Sequence, residues 1–185
     1  MKIKRITALM MIMLLALMMC ACGGQGEPTE DYSEDTEEMS TGPVAEIPEF
    51  HSIDLEGNEV DNSIFEDATV TVINVWGTFC PPCIGEMPDL AEWAEELPAN
   101  VQMIGIVMDV ESADSEEFEE AKRIVAESGV PYTNIIAGDQ FVDGFFDQIV
   151  GVPTTFFVDS EGKCVAEPVL GADVEAYKKT VEGLL

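Results

Sequence analysis

The stretch from Val72 to Pro88 constrains this chain more than any other. Thr69 to Trp76 is an apolar run rich in β-branched residues, the pattern of a strand buried on both faces. A short Gly77-Thr78-Phe79 turn follows, and then Cys80-Pro81-Pro82-Cys83 opens a helical pattern. A C-x-x-C at a strand-to-helix junction is a redox signature. A thiolate at a helix N-terminus meets unpaired backbone N–H groups and the positive end of the helix dipole. That lowers the pKa of Cys80 below the free value of about 8.5. Pro81 and Pro82 donate no hydrogen bonds, which a first helical turn tolerates. Cys83 lies one turn further in and can close a disulfide onto Cys80.

Three segments, Trp76–Cys83, Glu86-Met87-Pro88 and Gly151–Phe156, together resemble the thioredoxin superfamily. More narrowly they resemble its TlpA/ResA branch of membrane-tethered thiol–disulfide oxidoreductases, over residues 47–185. Phe79 departs from the tryptophan usual there, and Asn74 stands where cytoplasmic thioredoxins bury an aspartate. The resemblance implies an α/β, thioredoxin-like fold. A central mixed sheet would be flanked by helices, with an N-terminal β-hairpin and an inserted strand–helix unit. It implies that the Val152–Pro153 peptide bond is cis and lies against the cysteine loop, leaving the Val152 backbone to pair with a substrate strand. It casts Glu86 as a buried acid that handles protons for the cysteines, against the plainer reading of one more exposed glutamate on an acidic helix. Trp76, Phe79, Pro81, Pro82, Val152 and Pro153 would form the substrate-binding rim, although core packing alone would explain Trp76. No cofactor is implied. The expected activity is reduction of protein disulfides outside the cytoplasm, apocytochrome c among the substrates. The expected partners are disulfide-containing extracytoplasmic proteins and a membrane thiol electron donor, met by a monomer.

Charge narrows the partners further. The formal net charge is −29 over 185 residues. Such a field repels nucleic acid and anionic lipid headgroups. Between Arg5 and Lys122 there is no lysine or arginine, so no local cation supports a thiolate at Cys80.

Residues 1–21 read as a targeting segment. Lys2, Lys4 and Arg5 precede an apolar run from Ile6 to Met19, shorter than the ~20 residues of a spanning helix. Met19-Cys20-Ala21-Cys22 resembles a bacterial lipobox. Ala21 supplies the small residue before the cleavage point, so Cys22 is the expected lipidated N-terminus. An ordinary cleaved signal with a free Cys22 thiol is the alternative. Residues 22–46 are acidic, poor in large apolar groups, and expected to be a disordered linker.

Along the folded part, residues 47–67 signal a hairpin with a turn at Glu56-Gly57-Asn58 and His51 on an exposed strand. A helix is expected over 81–97, with Cys83, Met87, Leu90, Ala94 and Leu97 on one face, Trp93 packed, and a kink at Pro88. A strand over 101–108 leads to a helix begun by Asp114 and stopped by Gly129. A short strand over 134–137 and a weak helix over 141–149 follow. Then come a hairpin pairing 154–159 with 164–170 and a final helix capped by Asp173.

Cys80 is the nucleophile by position, and Cys83 resolves the mixed disulfide it forms. A zinc site would need two more ligands, for which the domain offers Cys164 and His51. Cys164 reads as a buried packing residue. The acidic surroundings argue for a reductase rather than an oxidase. Two rivals share the scaffold. A thiol peroxidase needs Pro-x-x-x-Thr-x-x-Cys, where this chain has Ile73 and Gly77. The other is a tethered binding module that uses the Pro153 groove without turnover.

Overall fold

The computed structural model describes residues 46–142 and 144–185. The expected targeting segment, the expected lipidation site Cys22 and the expected linker up to residue 45 lie outside them. Ordered pairing is present at Glu46, the last residue of the expected linker, which bridges to Lys163.

The central sheet has five strands: β3 (Val70–Trp76), β4 (Val101–Val107), β5 (Asn134–Ile136), β6 (Thr154–Val158) and β7 (Val169–Leu170). Their spatial order is β5-β4-β3-β6-β7. β3, β4 and β5 run parallel, while β6 is antiparallel to β3 and to β7. Every residue of β3 is buried, as its β-branched run requires of a strand covered on both faces. Side chains alternate across it. Ile73 and Val75 join an aromatic cluster of Phe50, Phe65, Phe141, Phe145 and Phe156 on one face. Val70, Val72 and Trp76 face the helices, and so does Asn74, the one polar residue in that row.

Helix α1 (Pro81–Glu96) leaves the end of β3 through the Gly77–Cys80 turn. It buries Cys83, Met87, Leu90 and Trp93, matching the expected face, while Ala94 and Leu97 are half-buried. It runs unbroken through Pro88, whose missing N–H leaves the Ile84 carbonyl without its helical partner. Helix α2 (Glu116–Glu127) and β5 form the strand–helix unit between the two motifs and add an edge strand beyond β4. Its cap is Ser115, not the expected Asp114: the Ser115 hydroxyl accepts from Phe118 N–H at 3.1 Å. Helix α4 (Val174–Leu184) is capped by Asp173, as its sequence indicates.

Two other expectations are corrected. The weak helix over 141–149 is two short pieces, α3 (Asp139–Val142) and a 3-10 turn over Phe146–Gln148. Gly144 stands between them at φ 98°, outside any right-handed helix. The last hairpin is not one ladder. Val158 bridges Cys164, but β6 then pairs Thr155 with Val169 and Thr154 with Leu170. The outer strand therefore carries surplus residues, and Pro168, which has no N–H, sits where pairing is lost.

The N-terminal hairpin, β1 (His51–Ile53) with β2 (Glu59–Asp61), is a separate two-stranded sheet. It turns at Gly57, whose φ of 89° needs glycine. It is tied to β5 by Ser52 Oγ donating to the Ile136 carbonyl and by Leu55 N–H donating to the Asn134 carbonyl. His51 is exposed, as expected.

One close approach locks strand to strand. The Trp76 indole N–H donates to Asn134 Oδ1 at 2.9 Å, across β4. Gly105 lies between, and a Cβ there would come within 1.9 Å of that oxygen. Gly105→Ala should therefore destabilise the domain by about 1–3 kcal/mol, read as a lower urea midpoint. An unchanged midpoint would show that Asn134 can move aside freely.

Candidate active site

The site is built where β3 ends. Thr78 is held by Asp109, just past β4: its N–H reaches both carboxylate oxygens at 3.0 and 3.1 Å, and its hydroxyl donates at 2.5 Å. This fixes the turn, and Cys80 N–H closes it onto the Gly77 carbonyl at 3.1 Å. Cys80 is the N-cap of α1, its sulfur accepting from Cys83 N–H at 3.3 Å, with both prolines in the first turn. Cys80 and Cys83 are joined as a disulfide, with Cα atoms 5.3 Å apart. Both are buried, Cys83 completely and Cys80 at 4% exposure.

The Val152–Pro153 bond is cis, and the Val152 carbonyl oxygen lies 3.5 Å from Cys80 Sγ. The two sequence motifs, 72 residues apart, thus meet at the nucleophile. A cavity of about 450 Å³ opens over this meeting point, lined by Phe79, Cys80, Pro81, Pro82, Met108, Ile149, Val150, Gly151 and Val152. No ionisable side chain other than the cysteine is among them. A larger cavity of about 920 Å³ flanks the N-terminal hairpin and contains neither cysteine of the pair. Phe79 and Val150 stand out at 63% and 86% exposure, an apolar rim available to a partner. Trp76 is different: fully buried and bonded to Asn134, it supports the turn from below and cannot join that rim.

Glu86 lies one turn past Cys83, at 5% exposure, so it is not an ordinary surface glutamate. Its carboxyl oxygens accept from Asn74 Nδ2 at 3.0 Å and meet the Tyr177 hydroxyl at 3.1 Å. Burial raises its pKa to about 7, outweighing the two hydrogen bonds; Asp89 adds to the rise. Asn74 also donates to Thr155 Oγ1 at 3.1 Å, binding β3, β6, α1 and α4 into one polar cluster. No local pattern in the sequence marks the side chain of Tyr177, Thr155 or Asp109 as part of the site. Tyr177 sits at a core position of α4's periodicity, where nothing local marks its hydroxyl. Cys164 is free and buried, its thiol pushed up to about 11 by burial and then by Asp159 and Glu46, which fits packing.

A family model described as Redoxin matches residues 43–185. The chain belongs to the redoxin family. This redoxin is 31% identical over 157 residues to the thiol-disulfide oxidoreductase ResA of Bacillus thuringiensis strain Al Hakam, covering 84% of this chain and 83% of the relative. It is 29% identical over 171 residues to a ResA of Bacillus cereus, covering 91% of each. Among solved structures, the thioredoxin domain of a thiol-disulfide oxidoreductase from Bacteroides vulgatus superposes with a TM-score of 0.63 at 23% identity, covering 79% of this chain and all of that one. The thioredoxin-like fold and the ResA-like branch expected above therefore hold, and the redoxin is a thiol–disulfide oxidoreductase.

The raised Glu86 pKa has a consequence for stability. An unfolded glutamate ionises near its ordinary value of 4.5, whereas the buried one holds its proton up to about 7. Across that window the native state binds more protons, so this group's effect on stability falls as pH rises, then levels off. Glu86→Gln should gain on the parent protein between pH 4.5 and 7, measured by urea unfolding with the disulfide intact. A pH-independent difference would mean that Glu86 titrates normally.

Proposed function

We propose that this redoxin reduces protein disulfides outside the cytoplasm, held to the membrane by a lipid on Cys22. The observation that carries the reading is Cys80 Sγ beside the cis Val152–Pro153 bond, at the floor of an apolar cleft. In the reduced protein, the Cys80 thiolate attacks one sulfur of a partner disulfide, and the partner's other sulfur leaves as a thiolate. Cys83 loses its proton to Glu86 and attacks Cys80 Sγ. The partner leaves with both sulfurs reduced, and the Cys80–Cys83 disulfide forms. A membrane thiol donor then returns two electrons.

Phe79, Pro81, Pro82 and Val152 supply the surface on which an extended partner segment would lie, with backbone pairing at Val152. Pro153 positions that carbonyl. The reductive direction is supported by electrostatics. No lysine or arginine precedes Lys122 in the domain, and a carboxyl group lies one turn past Cys83. Neither favours a very acidic thiol, the mark of a strong oxidant. Extracytoplasmic placement rests on the lipobox-like Cys22, with residues 22–46 as the spacer. Among the described residues no helix is long and apolar enough to cross a membrane. The family resemblance adds apocytochrome c as a substrate to test.

Partner trapping is the direct experiment. In the host cell, Cys83→Ser should accumulate mixed disulfides at Cys80 that dissolve in reductant, while Cys80→Ser should capture none and lose turnover to the uncatalysed rate. Capture that persists in Cys80→Ser and survives reductant would favour a non-catalytic binding module.

A further inference from the structure

Tyr177 has one hydroxyl hydrogen and more than one claim on it. Its oxygen lies 2.5 Å from the Gly171 carbonyl and 3.1 Å from Glu86 Oε2, and it accepts from Asp173 N–H at 3.3 Å. Thr155 faces it as well. One hydrogen cannot serve two acceptors fully. If Glu86 is ionised, the hydroxyl must donate to it, because a carboxylate only accepts. If Glu86 is protonated, Oε2–H can donate to the Tyr177 oxygen, and the hydroxyl hydrogen is free for Gly171. Gly171 in turn donates its N–H to the Pro153 carbonyl at 2.8 Å.

We infer that Tyr177 is a positioning residue for proton transfer at Glu86: its hydroxyl turns between Glu86 and the Gly171 carbonyl as Glu86 gains or loses a proton. This rests on the reading of Glu86 as the acceptor of the Cys83 proton. The balance is simple. The proton leaving Cys83 goes to Glu86, no bond to Tyr177 forms or breaks, and the tyrosine hydrogen only changes acceptor. The site also has its own opening. A groove of about 540 Å³ between α1 and α4 is lined by Pro82, Gly85, Glu86, Asp173 and Lys178, among others. It is separate from the apolar cleft over Cys80, with Pro82 the one residue common to both linings. Glu86 can therefore exchange its proton with water while a partner covers Cys80.

Other groups face the same carboxyl. Asp89 and Glu92 lie on α1, Asp173, Glu175 and Lys178 line the groove at α4, and Tyr132 approaches from the segment before β5. None of these is hydrogen-bonded to Glu86; Asn74 and Tyr177 are. Asn74 has two amide hydrogens for its two acceptors, Glu86 and Thr155, whereas Tyr177 has one hydrogen to divide between Glu86 and Gly171. That makes its hydroxyl, rather than the net charge of the groove, the group whose loss should move the proton affinity.

The test isolates the resolving step. Full-length reduced protein carrying Cys20→Ser and Cys22→Ser is converted to a thionitrobenzoate mixed disulfide at Cys80, and release of the coloured thiolate by Cys83 is followed against pH. The parent protein should show an inflection near neutrality, and Glu86→Gln should abolish it. Tyr177→Phe should keep the inflection but move it up by about one pH unit, slowing release about fivefold at pH 7 and leaving it unchanged at pH 9. An inflection that stays put while the urea midpoint falls would overturn the proposal and reduce Tyr177 to a packing residue. An inflection that survives Glu86→Gln would instead sink the underlying reading of Glu86. Should Tyr177→Phe not fold, 3-fluorotyrosine in place of Tyr177, a stronger donor of nearly the same shape, should move the inflection down; no movement would also overturn the proposal.

Discussion

Glu86 is largely buried in the wall of the groove between α1 and α4, where it meets two partners, Asn74 from β3 and Tyr177 from α4. A buried carboxyl must be hydrogen-bonded or neutral, and it is costly if it is neither. That requirement reaches across the domain. It makes the single polar residue on the helix-facing row of β3 an asparagine that can donate twice, to Glu86 and to Thr155. It brings a tyrosine from the last helix to within reach of the first. The strand, both helices and β6 are thus held in register by a polar cluster one helical turn from the disulfide, where apolar packing alone would leave more freedom.

The two sides of the site differ in kind. Over Cys80 the cleft is apolar, with Phe79 and Val150 projecting and no charged group in its lining. Behind Cys83 the lining is acidic, with Lys178 its lone basic group. A partner's chain can be desolvated on one side while a proton is exchanged on the other. Thiol–disulfide exchange needs both, since sulfur transfer is fast only from a thiolate, and the proton must have somewhere to go.

Much of this was written locally. β3 is a continuous β-branched run, the cysteines sit at a strand-to-helix junction, Asp173 precedes a periodic helix, and Gly57 marks its turn. The meeting of Cys80 with Val152–Pro153 came from family resemblance, since no periodicity joins residues 72 positions apart. What stayed hidden depends on tertiary contact. Trp76 and Asn134 are 58 residues apart, Thr78 and Asp109 are 31 apart, and Glu86 and Tyr177 are 91 apart. Each polar atom looked ordinary in its own segment. Trp76 misled in the other direction: it neighbours the redox motif in sequence, but strand alternation turns it inward. The broken outer strand near Pro168 was foreseeable from its missing N–H, whereas the register change beside it was not.

The central claim is that this surrounding makes the Cys80–Cys83 couple reducing. Equilibrating the full-length protein with glutathione buffers of known ratio, and quantifying the disulfide by mass spectrometry, measures it directly. The account predicts a potential close to that of thioredoxin, about −270 mV. A value near the strongly oxidising extreme of about −120 mV would contradict it.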